Sequence, residues 1–219
     1  MSRAAPVILA LDCSAAACSA ALWRGGGLAA HRIAAMDRGH AEALMPMVER
    51  VMDMAASRYA ELDLVAATVG PGSFTGLRIG LAAARGLALA AGVKALGVTS
   101  FAAIAEALPD SDRGLAVAID DRRGGVYWQE FAADRSTVGA PVAVAADALA
   151  ATITALAGGR RLGVAGDGAK VLRTLGGTVA LDLVGDGGPP DAAAVARLAA
   201  RLAGDALAGR PAGLPPVPL

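Results

Sequence analysis

Neither sign of charge is in excess: 20 Lys and Arg face 20 Asp and Glu, and the formal net charge is zero. A chain without a basic surplus has no general attraction to phosphate backbones, so autonomous nucleic-acid binding is not expected. Of the 20 basic residues only Lys94 and Lys170 are lysine. The two cysteines, Cys13 and Cys18, lack the four-ligand pattern of a zinc site and read as free, half-buried thiols of a reducing compartment. There are two histidines, His31 and His40, with no third and no His-x-x-x-His pair. No G-x-S-x-G elbow is present for a hydrolytic triad. These gaps leave no catalytic residue and no metal ligand set to nominate.

A long apolar run is missing as well. The hydrophobic fraction is 55% and the mean hydropathy +0.52, yet the longest uncharged run, residues 64–77, contains three glycines and a proline. A spanning helix needs about 20 mostly apolar residues, so no membrane segment is expected. The hydropathy comes largely from 56 alanines, which contribute little transfer energy and favour helix. Disorder is equally unexpected in so apolar a chain. Residues 4–11 are apolar, but Asp12 ends the run and only Arg3 precedes it. A first strand fits better than a signal peptide, and the expected location is cytoplasmic.

What is present has α/β order. Residues 7–11 read as a strand ending at Asp12, with a turn over 13–17 and further strands over 18–23 and 28–34. From His40 to Ser57 the period changes, since Leu44, Val48, Val51, Met52 and Ala55 repeat as one helical face. Residues 64–69 form a continuous β-type run, a helix follows over about 75–91 with Gly92 as its stop, and residues 95–98 form a strand. This gives a first subdomain over residues 1–100. A second, over 101–219, opens with a helix at 100–108 and strands at 115–119 and 126–131. A helix at about 147–157, a strand at 162–165, a short helix to residue 175 and a strand at 178–184 follow. The closing helix over 191–208 is capped by Asp191 and is placed where it can pack back on the first subdomain. The Pro-rich tail, 209–219, reads as irregular.

Three segments invite a functional reading. Gly70-Pro71-Gly72-Ser73-Phe74-Thr75-Gly76 runs from a strand into a helix, so free amides would lie at a positive helix end suited to an anion. The spacing is neither a Walker A loop nor G-x-G-x-x-G, and a tight structural turn fits it too. Gly70, Gly72, Ser73 and Thr75, with Asp12 and Ser14 on the first strand, are the candidate anion or nucleotide contacts. Next, Gly76, Gly80, Ala84 and Ala88 make a small-residue stripe beside Leu77. Its internal glycines cost roughly 1 kcal/mol each against Ala, and close approach of another helix, within the chain or in a partner, would offset them. Finally, Met45, Met47, Met52 and Met54 crowd the 40–57 helix beyond one stripe, so some face outward, as at adaptable binding surfaces. The candidate partner face therefore comprises His40, Leu44, Met45, Met47, Val48, Met52, Gly76, Leu77, Gly80 and Ala84. The charged run Asp120-Asp121-Arg122-Arg123-Gly124-Gly125 reads as a solvated hairpin turn.

Taken as motifs, L-A-L-D-C-S at 9–14, H-A-E-A-L-M-P at 40–46, G-P-G-S-F-T-G-L-R-I-G at 70–80 and D-D-R-R-G-G-V-Y-W at 120–128 resemble the TsaB (YeaZ) family. Asp121 stands where that family usually has Ala, and Met45 replaces the second Leu of an L-L-P segment. The C-terminal end resembles a shortened form of the family's Pro-x-Tyr-Leu-Arg. The resemblance implies an actin-like ATPase/sugar-kinase-type fold of two related βα subdomains. It also implies an accessory, non-catalytic role in forming threonylcarbamoyladenosine next to the anticodon of tRNA. The implied partners are the catalytic paralogue TsaD, the small ATPase TsaE, tRNA through the complex, and a second copy of the chain. ATP or ADP would enter only with the complex. The alternative from the same fold is a small-molecule kinase or ATPase acting alone through Asp12 and the 70–76 loop.

Overall fold

A computed structural model describes residues 5–109, 112–159, 162–173, 181–185 and 187–207. The chain divides into two compact units, Met1–Ala103 with Pro190–Leu219, and Ile104–Pro189.

Unit 1 is a five-stranded mixed sheet in the order β3-β2-β1-β4-β5. Its strands are β1 (Ile8–Ala15), β2 (Ala17–Arg24), β3 (Gly27–Ala35), β4 (Leu64–Thr68) and β5 (Lys94–Val98). β1, β2 and β3 form an antiparallel meander, while β4 runs parallel to β1 and β5 parallel to β4. The helices α1 (His40–Met54) and α2 (Phe74–Ala91) cover one face. Leu44, Val48, Val51 and Met52 of α1, with Ala84 and Ala88 of α2, meet Leu9, Leu11, Leu22 and Val65 there. The other face is closed by Ala192, Val195, Ala196 and Ala199 of a helix that returns at the end of the chain, packed on Ile8, Ala10, Leu64 and Ala66. Alanine on both sides of this seam lets helix and sheet approach closely, which gives the alanine-rich composition a structural use.

Unit 2 repeats the plan with sheet order β10-β9-β6-β7-β8. Its strands are β6 (Leu115–Asp120), β7 (Val126–Phe131), β8 (Thr137–Val144), β9 (Leu162–Ala165) and β10 (Leu181–Leu183). α3 (Ser100–Ala107) lies at the division of the units, and α4 (Leu149–Ala157) and α5 (Ala169–Arg173) belong to unit 2. The returning helix is α6 (Ala192–Leu207). The core of unit 2 gathers Trp128, Val126, Val144, Leu149, Ile153 and Val164.

Several sequence expectations are corrected. β1 does not end at Asp12 but runs on to Ala15, and β2 starts at Ala17. The expected turn over 13–17 contracts because a bulge between Asp12 and Ala15 absorbs the change of register. Cys13 and Cys18 are fully buried rather than half-buried. β8 had no signal in the sequence: residues 137–143 are all exposed, so no inside–outside alternation marks the strand. By length and composition α2 could cross a membrane, but its stripe of Leu77, Leu81, Ala84 and Ala88 is buried in unit 1. The expected strand at 178–184 appears as Leu181–Leu183, with 174–180 outside the described residues. The end of the short helix beyond Arg173 and the Pro-rich tail, 209–219, also lie outside them.

Candidate functional site

Asp12 lies in the interior of β1, and burial decides its chemistry. It has no solvent exposure. One carboxylate oxygen, Oδ1, accepts hydrogen bonds from the Ser14 amide (3.3 Å), the Ser14 hydroxyl (2.7 Å) and the Thr68 hydroxyl at the end of β4. The other, Oδ2, has no partner among the described residues. Burial pushes the carboxyl up to about 6, opposed by the Ser14 and Thr68 hydrogen bonds and assisted by the negative charge of Asp191. Beside it the Cys13 and Cys18 sulfurs sit 3.6 Å apart, and this contact together with burial pushes the Cys13 thiol up.

The 70–76 loop meets β1 just beyond Asp12, at Cys13 and Ser14. The Ser73 amide donates to the Ser14 carbonyl at 2.7 Å. Gly72 lies against that same carbonyl and Gly76 against the carbonyl of Cys13, each so closely that a Cβ would overlap the oxygen. Ser73 caps α2, its hydroxyl accepting from the Gly76 amide at 3.2 Å. Thus the Ser73 and Gly76 donors of the loop are already taken by the chain itself. Gly70, Gly72, Ser73, Asp12 and Ser14 do come together, as the sequence implied, but they form a closed seam. Thr75 is exposed at the first turn of α2. Arranged in this way, the Ser73 and Gly76 amides are bonded within the chain rather than held free for a phosphate. Among the described residues no group of three His, Cys, Asp or Glu is placed to hold a metal ion.

The candidate partner residues divide sharply. His40, Leu44, Val48, Met52, Gly76, Leu77, Gly80 and Ala84 are buried, Met47 is half-buried, and Met45 is exposed. His40 is structural, because Nε2 donates to the Ala15 carbonyl at 3.1 Å and ties the start of α1 to the β1–β2 turn. The small-residue stripe faces β1, not a neighbouring helix: a Cβ on Gly80 would stand 3.7 Å from the Cys13 Cβ. Sequence periodicity found the inward faces.

The outward faces differ. On α2, Phe74, Arg78, Ala82, Arg85, Gly86 and Leu89 are exposed, Leu89 at 85%. The Arg78 guanidinium lies 3.7 Å from the centroid of the Phe74 ring. Among the described residues nothing lies within 4 Å of the position a Gly86 Cβ would take. On α1 the outward residues include Met45, Glu49, Asp53 and Met54, with Tyr59 just beyond. Burial, then Glu49 and Asp53, raise the Tyr59 hydroxyl, which sets the ring beside the acidic end of α1. Phe74, Arg85 and Leu89 were missed because they carry no small-residue or methionine signal; the spacing Phe74, Arg78, Ala82, Gly86 was the available clue.

In unit 2, the 120–125 turn is held by its own aspartates. Asp120 Oδ1 accepts from the Arg122 amide and Asp121 Oδ1 from the Arg123 and Gly125 amides. Arg122 adopts a left-handed φ of 64° and pairs with Asp167 at 3.2 Å, joining this turn to the one after β9.

Comparison with known proteins agrees with this architecture. The family model described as "TsaD: tRNA N6-adenosine threonylcarbamoyltransferase" matches residues 29–182. The Escherichia coli (strain K12) "tRNA threonylcarbamoyladenosine biosynthesis protein TsaB" is 37% identical over 133 residues, 60% of this chain and 57% of that protein. This chain thus aligns with little more than half the length of that curated relative. An uncharacterized protein of Mycobacterium tuberculosis (strain H37Rv) is 37% identical over 154 residues, 69% of this chain and 71% of its own. YeaZ from Pseudomonas aeruginosa superposes with a TM-score of 0.81 at 29% identity, covering 98% of this chain and 100% of the other. Two mixed five-stranded sheets flanked by helices are therefore the actin-like fold the motifs implied, and the chain belongs to the TsaB (YeaZ) family.

Proposed function

We propose that this chain is a non-catalytic accessory subunit that binds and activates a TsaD-type catalytic paralogue in forming threonylcarbamoyladenosine in tRNA. The observation that carries the reading is the outward face of α2. Among the described residues nothing lies within 4 Å of a Gly86 Cβ position, and Phe74, Ala82 and Leu89 leave apolar surface around it. An exposed, apolar, small-residue helix face flanked by Arg78 and Arg85 is suited to a protein partner. α1 beside it presents Met45 and Met54 among Glu42, Glu49 and Asp53. The outward charges of α1, Glu42, Glu49 and Asp53 with Arg50 among them, are mainly acidic and those of α2, Arg78 and Arg85, basic, which would guide a helical partner into register. A paralogue built on the same fold, or a second copy, supplies such helices.

Membership of the TsaB family supports the pathway, since the E. coli relative bears that activity in its name. In this reading ATP or ADP, the small ATPase TsaE and tRNA join at the level of the complex, in the cytoplasm where tRNA is modified. The test is association by sedimentation of this chain with a TsaD-type subunit. A complex that Leu89→Asp abolishes supports the reading; two species that sediment independently contradict it.

A further inference from the structure

Cys13 and Cys18, the chain's two cysteines, have no part in the reading above, yet the fold brings them face to face. Cys13 lies on β1 and Cys18 on β2, antiparallel strands whose register steps from Asp12 opposite Ser19 to Ala15 opposite Ala17. The bulge between those pairs leaves Cys13 and Ser14 facing Cys18. Both cysteines are buried in the core beneath α1 and α2, with Leu11, Leu44 and Ala84. Their sulfurs are 3.6 Å apart, close enough for one thiol to donate to the other. Residues opposite each other on antiparallel strands have Cα atoms about 4.5–5.5 Å apart, inside the roughly 4.4–6.8 Å that a disulfide spans. A bond of about 2 Å therefore needs only a small approach of the two sulfurs. Over Cys13, α2 presents Gly80, where even an added Cβ would stand 3.7 Å from the Cys13 Cβ. No α2 side chain at that position holds the thiol in place.

We propose that Cys13 and Cys18 form a redox modification site, a dithiol that hydrogen peroxide oxidises to an intrachain disulfide and small thiols reduce. Cys18 supplies the attacking sulfur. The hydrogen bond from Cys13 holds the Cys18 thiol below its ordinary range, against burial and the charge of Asp12. Cys18 also lies two residues from Ala16, the exposed residue between β1 and β2. Local opening of that turn admits a molecule as small as peroxide. The Cys18 thiolate attacks one peroxide oxygen, the O–O bond breaks, hydroxide leaves, and Cys18 becomes a sulfenic acid. The Cys13 sulfur then attacks the Cys18 sulfur, the S–O bond breaks, and a second hydroxide leaves. The two hydroxides take up the two thiol protons. One peroxide is reduced to two waters, and two thiols are oxidised to one disulfide. The bridged loop is short, so the bond constrains the unfolded chain little and stays open to reduction.

Hydrogen peroxide applied to the reduced native chain tests this without any partner. The mass should fall by two hydrogens, and both thiols should be lost from a titration made after denaturation. Peptide mapping without reductant should join Cys13 to Cys18, and dithiothreitol should restore both thiols. A bulky aromatic disulfide reagent should label neither thiol of the native chain under the same conditions. Cys13→Ser and Cys18→Ser should each abolish the loss of two hydrogens, and the mass of the native chain decides the matter if a variant does not fold. The site is overturned if both thiols stay free in peroxide, if they advance to sulfinic acids unpaired, or if the bridges join separate chains. It is equally overturned if either serine variant still loses two hydrogens. Labelling of both thiols by the bulky reagent would also overturn it, by assigning the oxidation to the unfolded chain.

Discussion

Gly76 of α2 rests on the carbonyl oxygen of Cys13 in β1, at a separation no side chain could share. Nearly three helix turns further on, Gly86 of the same helix faces open space. Replacing each by alanine should therefore give opposite results. Gly76→Ala must push α2 off the sheet and should cost about 3 kcal/mol or abolish folding. Gly86→Ala gains helix propensity without a clash and should stabilise the isolated chain by about 0.5–1 kcal/mol. Thermal unfolding of the two variants measures both.

Asp12 sets a pH dependence whose sign can be worked out. The group binds its proton more tightly folded, at about 6, than at its ordinary value of 3.8. The folded state is thus favoured while both states are protonated, below about pH 4, and loses that advantage as pH rises through about 6. The gap corresponds to about 3 kcal/mol of stability. Asp12→Asn should flatten this contribution, so that the variant overtakes the native chain in urea unfolding at neutral pH.

α6 is fastened to unit 1 at its first turn. Asp191 Oδ1 accepts from His31 Nε2 at 2.7 Å and from the Ala193 amide at 2.9 Å, while Ser19 accepts from the Ala192 amide. Asp191→Ala removes both the helix cap and the tie to β3 and should cost about 1–2 kcal/mol. His31→Ala leaves the cap and should cost less, about 0.5 kcal/mol, because the pair is partly exposed. Chemical denaturation of the two variants orders them.

The outward residues of α2 should separate pairing from folding. Leu89→Asp or Arg85→Glu touches no buried neighbour and should alter stability by no more than about 0.5 kcal/mol. In sedimentation each should nevertheless remove association with a TsaD-type partner. Met54→Glu on α1 should weaken it without affecting the fold.

The sequence carried whatever local pattern could carry. Leu44, Val48 and Val51 announce the inner face of α1, and Gly92 marks the end of α2, because caps and stripes depend on neighbours within a few positions. Asp12 was misplaced at a strand end, since its acceptor role is fixed by Thr68, 56 residues away. Gly76 and Gly80 were read as part of a stripe open to a neighbouring helix, although only tertiary packing decides that both lie against Cys13 of β1. The partner face suffered most: periodicity marks the side that is buried, and the side a partner would cover is its complement.

The accessory role is tested most directly by reconstituting the modification with tRNA, threonine, bicarbonate, ATP, a TsaD-type subunit and TsaE, with and without this chain. The account predicts threonylcarbamoyladenosine only when the chain is present, and its loss with the folded Leu89→Asp variant. Equal modification in the absence of the chain would contradict it.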